Sequence, residues 1–424
     1  MRVLVIGSGG REHALCIFIN KSPICNKLFC IPGSDSIQEI ASCFKIDPMN
    51  NADIVDFCKE HKIDFVVVGP ELPLSNGIVD KLCEEKITVF GPNKASSQLE
   101  SSKIFMKNIC EKHNVPTAKY SFFDNEKKAL DFLDTVDFPT VIKADGLAAG
   151  KGVIIAKNKN EAVETIKNIM SKRIFGTSGE NIIIEEFLEG EEISFFALVD
   201  TNGFILPLTT AQDHKKIGEG DTGLNTGGMG AYSPVPFIKQ NQINDFVIKF
   251  VKPVIKDLKH NNIFFSGIFY AGLILTKYGP KLLEINVRFG DPEAQAVLPR
   301  LKTDLLDLLL ASSKGRLDQL RPPEWDNNFC INVVMASKGY PESYKKNTII
   351  GGLNKTTVNK SQYIFHSSTR KNEDHWLATG GRVLSISALG STLKEARNKA
   401  YNVINEIDWK SGYYRNDIGW KHLT

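Results

Sequence analysis

The sequence lacks the features that mark membrane proteins and nucleic-acid-binding proteins. Across its 424 residues no apolar run approaches the roughly 20 residues that a bilayer-spanning helix needs. There is no block of about five or six like charges, and 52 basic residues against 49 acidic residues leave a formal net charge of +3. We therefore expect neither a membrane nor a nucleic acid as a partner, although a locally basic site could still bind small anions.

The cysteines lack the pairing that metal sites and redox motifs use. Eight are present, none of them in a C-x-x-C pair, and seven lie before residue 111 at apolar positions of helix-like or strand-like segments. We expect buried free thiols rather than disulfides or metal ligands. The opening residues MRVLVIGSGG are typical of a buried strand that enters a glycine turn, not of a secretory signal, so we expect a reducing, cytoplasmic location.

The composition is that of an ordinary globular protein, with 42% hydrophobic and 24% charged residues. The length exceeds what one hydrophobic core supports, so we expect about two to four packed subdomains. Short apolar runs at 2–6, 28–31, 64–68 and 87–90 each end at Gly or Pro and alternate with helix-patterned segments. This alternation predicts a doubly wound parallel α/β sheet, whose ligands would bind at the carboxyl ends of the strands.

Changes of pattern divide the rest of the chain. A helix follows residue 103, strands surround a glycine-rich turn, and a long segment rich in Gly, Asp and Thr, GEGDTGLNTGGMGAYSP, interrupts further strands before a proline pair at 322–323. We predict an N-terminal α/β domain (1–102), a connecting helix region (103–122), a small lid subdomain (123–193), a central domain (194–325) and a small β-rich C-terminal domain (326–424).

The segment GSGGREHAL, residues 7–15, follows a predicted strand and starts a predicted helix. Backbone N–H groups at such a helix terminus can hold an anion. A dinucleotide-binding turn would need a third glycine where this chain has Glu12, which argues against NAD. The structural alternative is that the glycines only permit the tight strand-to-helix turn.

The segment VIKADGLAAGKGV, residues 141–153, places Lys143 on a strand ahead of a glycine-rich turn. Small residues let backbone donors approach phosphate oxygens, and the lysines add positive charge, so the composition is that of a phosphate clamp. It is not a Walker loop, because Lys151 is followed by glycine rather than by Ser or Thr. The alternative is a surface hairpin with incidental lysines.

The segment IIIEEFLEGEEIS, residues 182–194, is a predicted buried strand that runs directly into acidic residues. A strand end beside a cleft can offer its backbone to an adenine edge, and a carboxylate a few residues later can accept hydrogen bonds from ribose hydroxyls. The range 185–188 and Glu192 fit these two roles. The alternative is a solvated strand end.

The segment KLLEINVRFGDPEAQ, residues 281–295, carries the strongest pattern. Strand alternation puts apolar side chains on one face and polar side chains on the other, namely Leu283, Ile285 and Val287 against Glu284, Asn286 and Arg288. Carboxylate and amide oxygens suit Mg²⁺, and an arginine fork can hold a phosphoryl or carboxylate group. The alternative is a half-exposed edge strand.

Together these motifs resemble one family. GSGGREHAL, VGPELPL, KADGLAAGKGV, IIEEFLEGEE, QDHKKIGEGDTGLNTGGMGAYSP and RFGDPEAQ occur in the order and approximate spacing of the phosphoribosylamine–glycine ligases, or glycinamide ribonucleotide synthetases, of the ATP-grasp superfamily. The resemblance implies that the lid and central domain form an ATP-grasp pair. It also implies ATP-dependent ligation of glycine to 5-phospho-D-ribosylamine, which gives glycinamide ribonucleotide, ADP and phosphate through glycyl phosphate in the second step of de novo purine biosynthesis.

The resemblance also implies the partners and the residue roles. The partners would be ATP, glycine and 5-phosphoribosylamine, with Mg²⁺ or Mn²⁺ as cofactor, and the protein would be a monomer or a weak homodimer. The residues expected to contact ATP are Lys103, Lys143, Gly146, Gly150, Lys151, Gly152, Glu185, Glu186, Phe187, Leu188 and Glu192. The expected metal ligands are Glu284 and Asn286, and those expected at the reacting groups are Lys143, Arg288 and Asp291. The residues expected to bind the other substrates are Gly9, Gly10, Arg11, Glu12, Asp213, Lys215, Gly227, Gly228, Met229, Arg288, Gly290, Asp291 and Pro292.

The sequence departs from the family pattern at three turns, PGSDS (32–36), HSST (366–369) and TGGR (379–382). Because of these departures, the resemblance does not predict the details of the phosphoribosylamine pocket. In addition, AGLIL (271–275) offers no carboxylate that could serve as a second metal ligand. Two alternative functions remain, a different ATP-grasp ligase or carboxylase and a non-catalytic nucleotide-binding module. The second alternative would require the loss of phosphate or metal groups, yet Lys143, Glu284, Asn286 and Arg288 are all present.

Overall fold

The computed structural model describes residues 1–148, 151–353, 356 and 358–423. Its first sheet has five strands in the order β3-β2-β1-β4-β5, and every pair in it is parallel. The predicted parallel α/β sheet is therefore confirmed. The elements of this part are β1 (Arg2–Gly7), α1 (Gly10–Asn20), β2 (Lys27–Pro32), β3 (Ser42–Cys43), α2 (Asn51–Glu60), β4 (Phe65–Val68), α3 (Glu71–Ser75), α4 (Ile78–Glu84) and β5 (Thr88–Phe90).

Both faces of this sheet are covered, as its continuous apolar strands require. Alternate residues of β1 pack into two different hydrophobic clusters, Leu4 and Ile6 into one, Val3 and Val5 into the other. All eight cysteines are free, and five of them are buried, whereas Cys83 is exposed. The prediction of free thiols is confirmed, and its burial part is wrong at Cys83.

Two short helices lead to a four-stranded sheet in the order β6-β9-β7-β8, which forms the predicted small lid around its own apolar cluster. Asn158 begins the longer lid helix, because its side chain accepts a hydrogen bond from Glu161 N. The elements are α5 (Gln98–Ser101), α6 (Lys103–Lys112), β6 (Tyr120–Phe123), α7 (Glu126–Phe132), β7 (Thr140–Ala144), β8 (Val153–Ala156), α8 (Lys159–Met170) and β9 (Ile182–Glu186).

The central part is built on long antiparallel strands that carry the predicted polar motifs. One π-helical turn, Val247–Val251, joins the helices Gln240–Phe246 and Lys252–His260. The elements are β10 (Glu191–Val199), β11 (Ile205–Asp213), β12 (Lys216–Gly218), β13 (Thr222–Asn225), β14 (Gly230–Ser233), α9 (Gln240–Phe246), α10 (Lys252–His260), β15 (Gly267–Thr276), β16 (Gly279–Asn286), α11 (Ala294–Val297) and α12 (Leu305–Ser313).

The C-terminal strands extend the central sheet, since β14 pairs with β11 on one side and with the first C-terminal strand on the other. Together they make a nine-stranded sheet. The five predicted segment boundaries stay a prediction. The elements are β17 (Phe329–Ser337), β18 (Thr348–Ile350), β19 (Gln362–His366), β20 (Thr369–Asn372), β21 (His375–Ala378), β22 (Arg382–Gly390), α13 (Leu393–Asn405) and β23 (Gly412–Tyr413). Within the described ranges, no helix combines the length and the apolar character needed to cross a membrane.

Candidate functional site

A cavity of about 600 Å³ lies where the first sheet, the lid and the nine-stranded sheet meet. Its wall brings together segments that are far apart in the sequence. The candidate residues that line it are Arg11, Lys103, Lys143, Gly146, Gly152, Glu185, Glu186, Phe187, Leu188, Glu192, Asp213, Lys215, Gly227, Glu284, Asn286, Arg288, Gly290 and Asp291.

Other candidates lie outside the wall that the described residues form. Lys151 is turned toward the C-terminal strands, where its Nζ donates to Pro341 O at 3.3 Å. Met229 is fully buried in the C-terminal core. Gly150 lies outside the described residues. The remaining candidates that are not part of the wall are Gly9, Gly10, Glu12, Gly228 and Pro292.

One end of the cavity is rich in lysine. Helix α6 presents Lys103, whose Nζ donates to Gly146 O at 3.0 Å and so reaches the glycine-rich turn. Burial lowers the pKa of Lys103, an effect that Glu284 opposes. Lys215 Nζ lies 2.7 Å from Glu192 Oε2, the predicted ribose ligand. This end therefore concentrates positive charge beside a glycine-rich turn, a combination that suits phosphate binding.

In the predicted adenine segment, residues 185–188, both glutamate side chains form ion pairs with lysines of the protein. Glu185 is buried, and its Oε2 lies 2.8 Å from Lys143 Nζ. Glu186 Oε1 lies 2.8 Å from Lys281 Nζ. The side chains of Phe187 and Leu188 line the cavity, and the Phe187 ring is exposed. An adenine here would meet apolar side chains and strand backbone rather than the carboxylates.

Glu284, Asn286 and Arg288 line the cavity, as strand alternation predicts, but Leu283 and Ile285 also contribute to its wall. Ile285 is nonetheless buried, as predicted, whereas Leu283 is only half-buried. A β-bulge shifts the register of β15 and β16 between the pairs Gly272–Glu284 and Leu273–Leu282. The bulge places Leu283 on the cavity wall, and the fully buried residue is Leu282. Strand alternation cannot reveal such an extra residue.

The polar side chains of β16 fit a divalent cation. Glu284 and Asn286 lie side by side, with Asn286 Nδ2 3.4 Å from Glu284 Oε1, while Asn286 Oδ1 accepts a hydrogen bond from Arg288 Nη2 at 3.5 Å. Burial would raise the pKa of Glu284, but nearby Lys215, Lys143 and Lys103 outweigh it and hold that pKa below its ordinary value. No cluster of three or more His, Cys, Asp or Glu suited to a metal occurs in the part of the chain that the structure describes. Two protein oxygens suit Mg²⁺, which keeps water and phosphate as further ligands.

The other end of the cavity is built from arginines held by carboxylates. Arg288 Nη2 lies 2.7 Å from Glu100 Oε1, and its Nε donates to Glu71 Oε2 at 3.2 Å. Arg11 approaches the same Glu71 oxygen at 3.8 Å. Burial would raise the pKa of Glu71, yet Arg288 and Arg11 lower it to about 2. Arg382 binds Asp291, with Nη2 at 3.2 Å from Oδ2.

Two carboxylates at this end, those of Asp213 and Glu293, have no ion-pair partner within 4.0 Å among the described residues. Asp213 Oδ1 is buried and accepts no hydrogen bond there, and burial together with Glu293 holds the pKa of Asp213 well above its usual range. Glu293 Oε1 accepts hydrogen bonds from Tyr270 Oη at 2.6 Å and from Ser194 Oγ at 3.0 Å. Such a pair favours a ligand that brings a positive charge or N–H donors.

The glycine turn between β1 and α1, residues 7–10, packs against other residues of the protein. Gly9 N donates to Glu12 Oε2 at 2.8 Å, so the carboxylate caps the start of α1. Gly7 has φ +130, and a Cβ there would lie 2.3 Å from Glu12 Cγ. A Cβ on Gly10 would lie 2.5 Å from Ser367 Oγ, within the divergent HSST turn. The glycines thus allow close packing around Glu12 and against the C-terminal strands.

Several residues of the site were missed by the sequence reasoning. Glu71 belongs to VGPELPL, a motif that had been noted without a role, while Lys107 and Glu100 have no motif that marks them. Their ionic partners are distant in sequence; Glu71 and Arg288 are 217 residues apart. The missed residues near the cavity are Glu71, Glu100, Lys107, Glu293, Arg382 and Lys421.

Comparisons with known proteins agree along the chain. Sequence models of the phosphoribosylglycinamide synthetase N domain, ATP-grasp (A) domain and C domain match residues 1–100, 101–294 and 330–421. The chain is 44% identical to the phosphoribosylamine–glycine ligase of Rhizobium meliloti over 424 residues, which covers all of this chain and 99% of that protein. The crystal structure of phosphoribosylamine–glycine ligase from Thermotoga maritima superposes with a TM-score of 0.85 at 30% identity and covers 98% of this chain and 100% of its own.

A likeness of fold extends to a different group of proteins. The biotin carboxylase domain of 2-oxoglutarate carboxylase from Hydrogenobacter thermophilus superposes with a TM-score of 0.75 at 17% identity, over 97% of this chain and 91% of its own. At that identity the likeness concerns the fold alone.

Proposed function

The chain belongs to the phosphoribosylglycinamide synthetase family, and from this membership we propose that it joins glycine to 5-phospho-D-ribosylamine at the expense of ATP. The products are glycinamide ribonucleotide, ADP and phosphate, in the second step of de novo purine biosynthesis. The observation that carries the proposal is one cavity with a lysine-rich end, a two-oxygen cation site and an end of arginines and carboxylates. These three parts match a triphosphate, its metal ion and an amino-acid substrate.

The lysine-rich end is proposed to hold ATP. Lys103, Lys143 and Lys215 would offset the phosphate charges, and the turn near Gly146 and Gly152 would cover them. Glu284 and Asn286 would hold a divalent cation, Mg²⁺ or Mn²⁺. Such an ion neutralises charge on the β- and γ-phosphates when bound. The segment 185–188 would face adenine, and Glu192 would accept hydrogen bonds from ribose.

The opposite end is proposed to hold the reacting amino acid and amine. Arg288 and Arg382 offer positive charge to carboxylate and phosphoryl oxygens. Asp213 and Glu293 have no ion-pair partner within 4.0 Å among the described residues, and Asp213 Oδ1 accepts no hydrogen bond there, which suits the ammonium group of glycine. Asp291 is fixed between Arg382 and Gln295, whose Nε2 donates to Asp291 Oδ1 at 2.7 Å. This orients Asp291 toward the same space.

The chemistry follows from the poor leaving ability of a carboxylate oxygen. One carboxylate oxygen of glycine takes the γ-phosphoryl group, and the bond to the β-phosphate oxygen breaks to release ADP. The amine nitrogen of phosphoribosylamine then attacks the acyl carbon, phosphate departs with the glycine oxygen, and the nitrogen loses a proton. Positioning and charge from Lys143 and Arg288 promote the transfer, with no protein nucleophile. A closing lid would protect the reactive species from water.

The direct test is ADP release with ATP, glycine and freshly generated phosphoribosylamine, with each omitted in turn. The proposal expects sustained ADP release only with all three, and glycinamide ribonucleotide formed in equal amount. Sustained release without phosphoribosylamine, or a preference for another amine or amino acid in a substrate screen, would instead favour a different ligase or a carboxylase. Absence of turnover despite nucleotide binding would favour a non-catalytic module. A cytoplasmic location and a monomeric or weakly dimeric state remain predictions.

A further inference from the structure

A completely buried lysine stands behind the phosphate end of the cavity. Lys107 lies on α6, one turn after Lys103, and its side chain has no exposed surface. Its Nζ donates to Thr117 Oγ1 at 2.7 Å and to Ala118 O at 3.3 Å, and it lies 3.0 Å from Glu185 Oε1. Lys107 is not among the described residues that line the cavity, so it does not meet a ligand there.

Glu185 connects this lysine to one that does line the cavity. Its other oxygen, Oε2, lies 2.8 Å from Lys143 Nζ, and its side chain is only 2% exposed. Glu185 lies on β9 and Lys143 lies on β7. These strands are neighbours in the lid sheet, where Glu185 pairs with Val141. Lys107, Glu185 and Lys143 therefore form one buried row of two cations around one anion.

The row has a definite charge balance. Burial lowers the pKa of Lys107, and Glu185 opposes that effect. Burial would raise the pKa of Glu185, but Lys143 and Lys107 outweigh it and hold that pKa below its ordinary value. With all three groups charged, the row carries one net positive charge, and that charge faces the cavity through Lys143.

Without Lys107, Glu185 and Lys143 would form a neutral pair. Burying a lysine completely is expensive unless it is paired and hydrogen-bonded, as Lys107 is. A lysine at this place adds no contact with a ligand, and its effect on the site passes through Glu185. Because Lys107 shares the negative charge of Glu185, that charge does not fully neutralise Lys143.

We propose that Lys107 is a positioning residue for nucleotide binding, which holds Glu185 so that Lys143 keeps its position and positive charge for the phosphates. The inference rests on the proposed function, since it assumes that ATP phosphates lie against Lys143. It predicts that Lys107 affects the affinity for phosphates and leaves the affinity for the nucleoside alone.

The test compares direct binding of ATP and adenosine to the full chain by calorimetry, without the other substrates. Lys107→Met should weaken ATP binding by about tenfold and leave adenosine binding unchanged. Lys112→Met is the control, because Lys112 lies on the same helix but its Nζ lies 2.7 Å from Asp257 Oδ1 and it takes no part in the row. It should bind both ligands as the unaltered chain does. Equal loss of both ligands, or unchanged ATP binding, in Lys107→Met would overturn the inference.

A second variant keeps the test decisive if Lys107→Met does not fold. Lys107→Gln removes the positive charge but keeps an N–H donor for Thr117 Oγ1 and Ala118 O. It should likewise weaken ATP binding by about tenfold and leave adenosine binding unchanged. A folded Lys107→Gln that binds ATP as the unaltered chain does would contradict the inference. An unaltered chain that binds neither ligand would contradict the proposed function itself.

Discussion

At the scale of single residues, the site depends on charges that are balanced inside the protein. Arg288 is held by Glu71 and Glu100, and Lys143 is held by Glu185. Glu284 differs from these acids, since its carboxylate has no ion-pair partner within 4.0 Å among the described residues and faces three lysines at longer range. An acid left in that state suits a metal ion.

The first residue-scale prediction concerns that acid. Glu284→Ala should raise the Mg²⁺ concentration needed for half-maximal turnover and lower turnover itself by about tenfold or more, with little change in the free energy of unfolding. A magnesium titration of the steady-state rate measures the first effect, and urea unfolding measures the second. Glu164→Ala, at an exposed position of α8, serves as the control. An unchanged magnesium dependence in Glu284→Ala would remove the metal assignment.

The second residue-scale prediction concerns pH. The folded-state pKa of Glu71 is about 2, below its ordinary 4.5, so the ionised carboxylate stabilises the fold at and above pH 4.5. That stabilisation is lost as the pH falls from about 4.5 to about 2. Glu71→Gln should therefore lower the free energy of unfolding by about 3 kcal/mol near neutral pH, and the deficit should shrink over that acid range. Urea unfolding at several pH values measures it, and a deficit that is the same at every pH would contradict the reasoning.

At the scale of elements, the sequence predicted the strands and helices well but not their irregular joints. The alternation on β16 correctly placed Glu284 and Asn286 on the cavity face, because the pairing with β15 is regular from Glu284 to Asn286. It misplaced Leu283, because a bulge depends on how β15 and β16 pair and leaves no mark in the pattern of one strand. The burial of Lys107 could not be predicted either, since a lysine on an amphipathic helix is more often exposed than buried.

The element-scale prediction concerns the glycine-rich turn after β7. If this turn closes over the phosphates, ATP with Mg²⁺ should slow hydrogen exchange of the backbone amides of residues 145–153 by about tenfold. The amides of α8, Lys159–Met170, should exchange at the same rate with and without nucleotide and so serve as the internal control. Equal exchange of residues 145–153 in both conditions would mean that the turn is a fixed part of the lid.

At the scale of the whole molecule, the site exists only where distant parts of the chain meet. The order of motifs was sufficient to predict the fold class and the family, because each motif lies at a strand end or turn that the fold must place near the others. The contacts between parts were not predictable, since Arg288 finds Glu71 across 217 residues and Gly10 packs near Ser367. Such contacts depend on how the sheets pack against each other, and local sequence patterns do not indicate that packing.

The central claim is that glycine is activated as an acyl phosphate. The measurement that tests it most directly follows the oxygen of carboxyl-labelled [¹⁸O]glycine through one round of ligation, by mass spectrometry of the phosphate and the nucleotide. We expect one label in inorganic phosphate for each amide formed, with ADP as the nucleotide product. Arg288→Ala should reduce label transfer and amide formation together. Label in AMP, or unlabelled phosphate beside a normal yield of amide, would contradict the account.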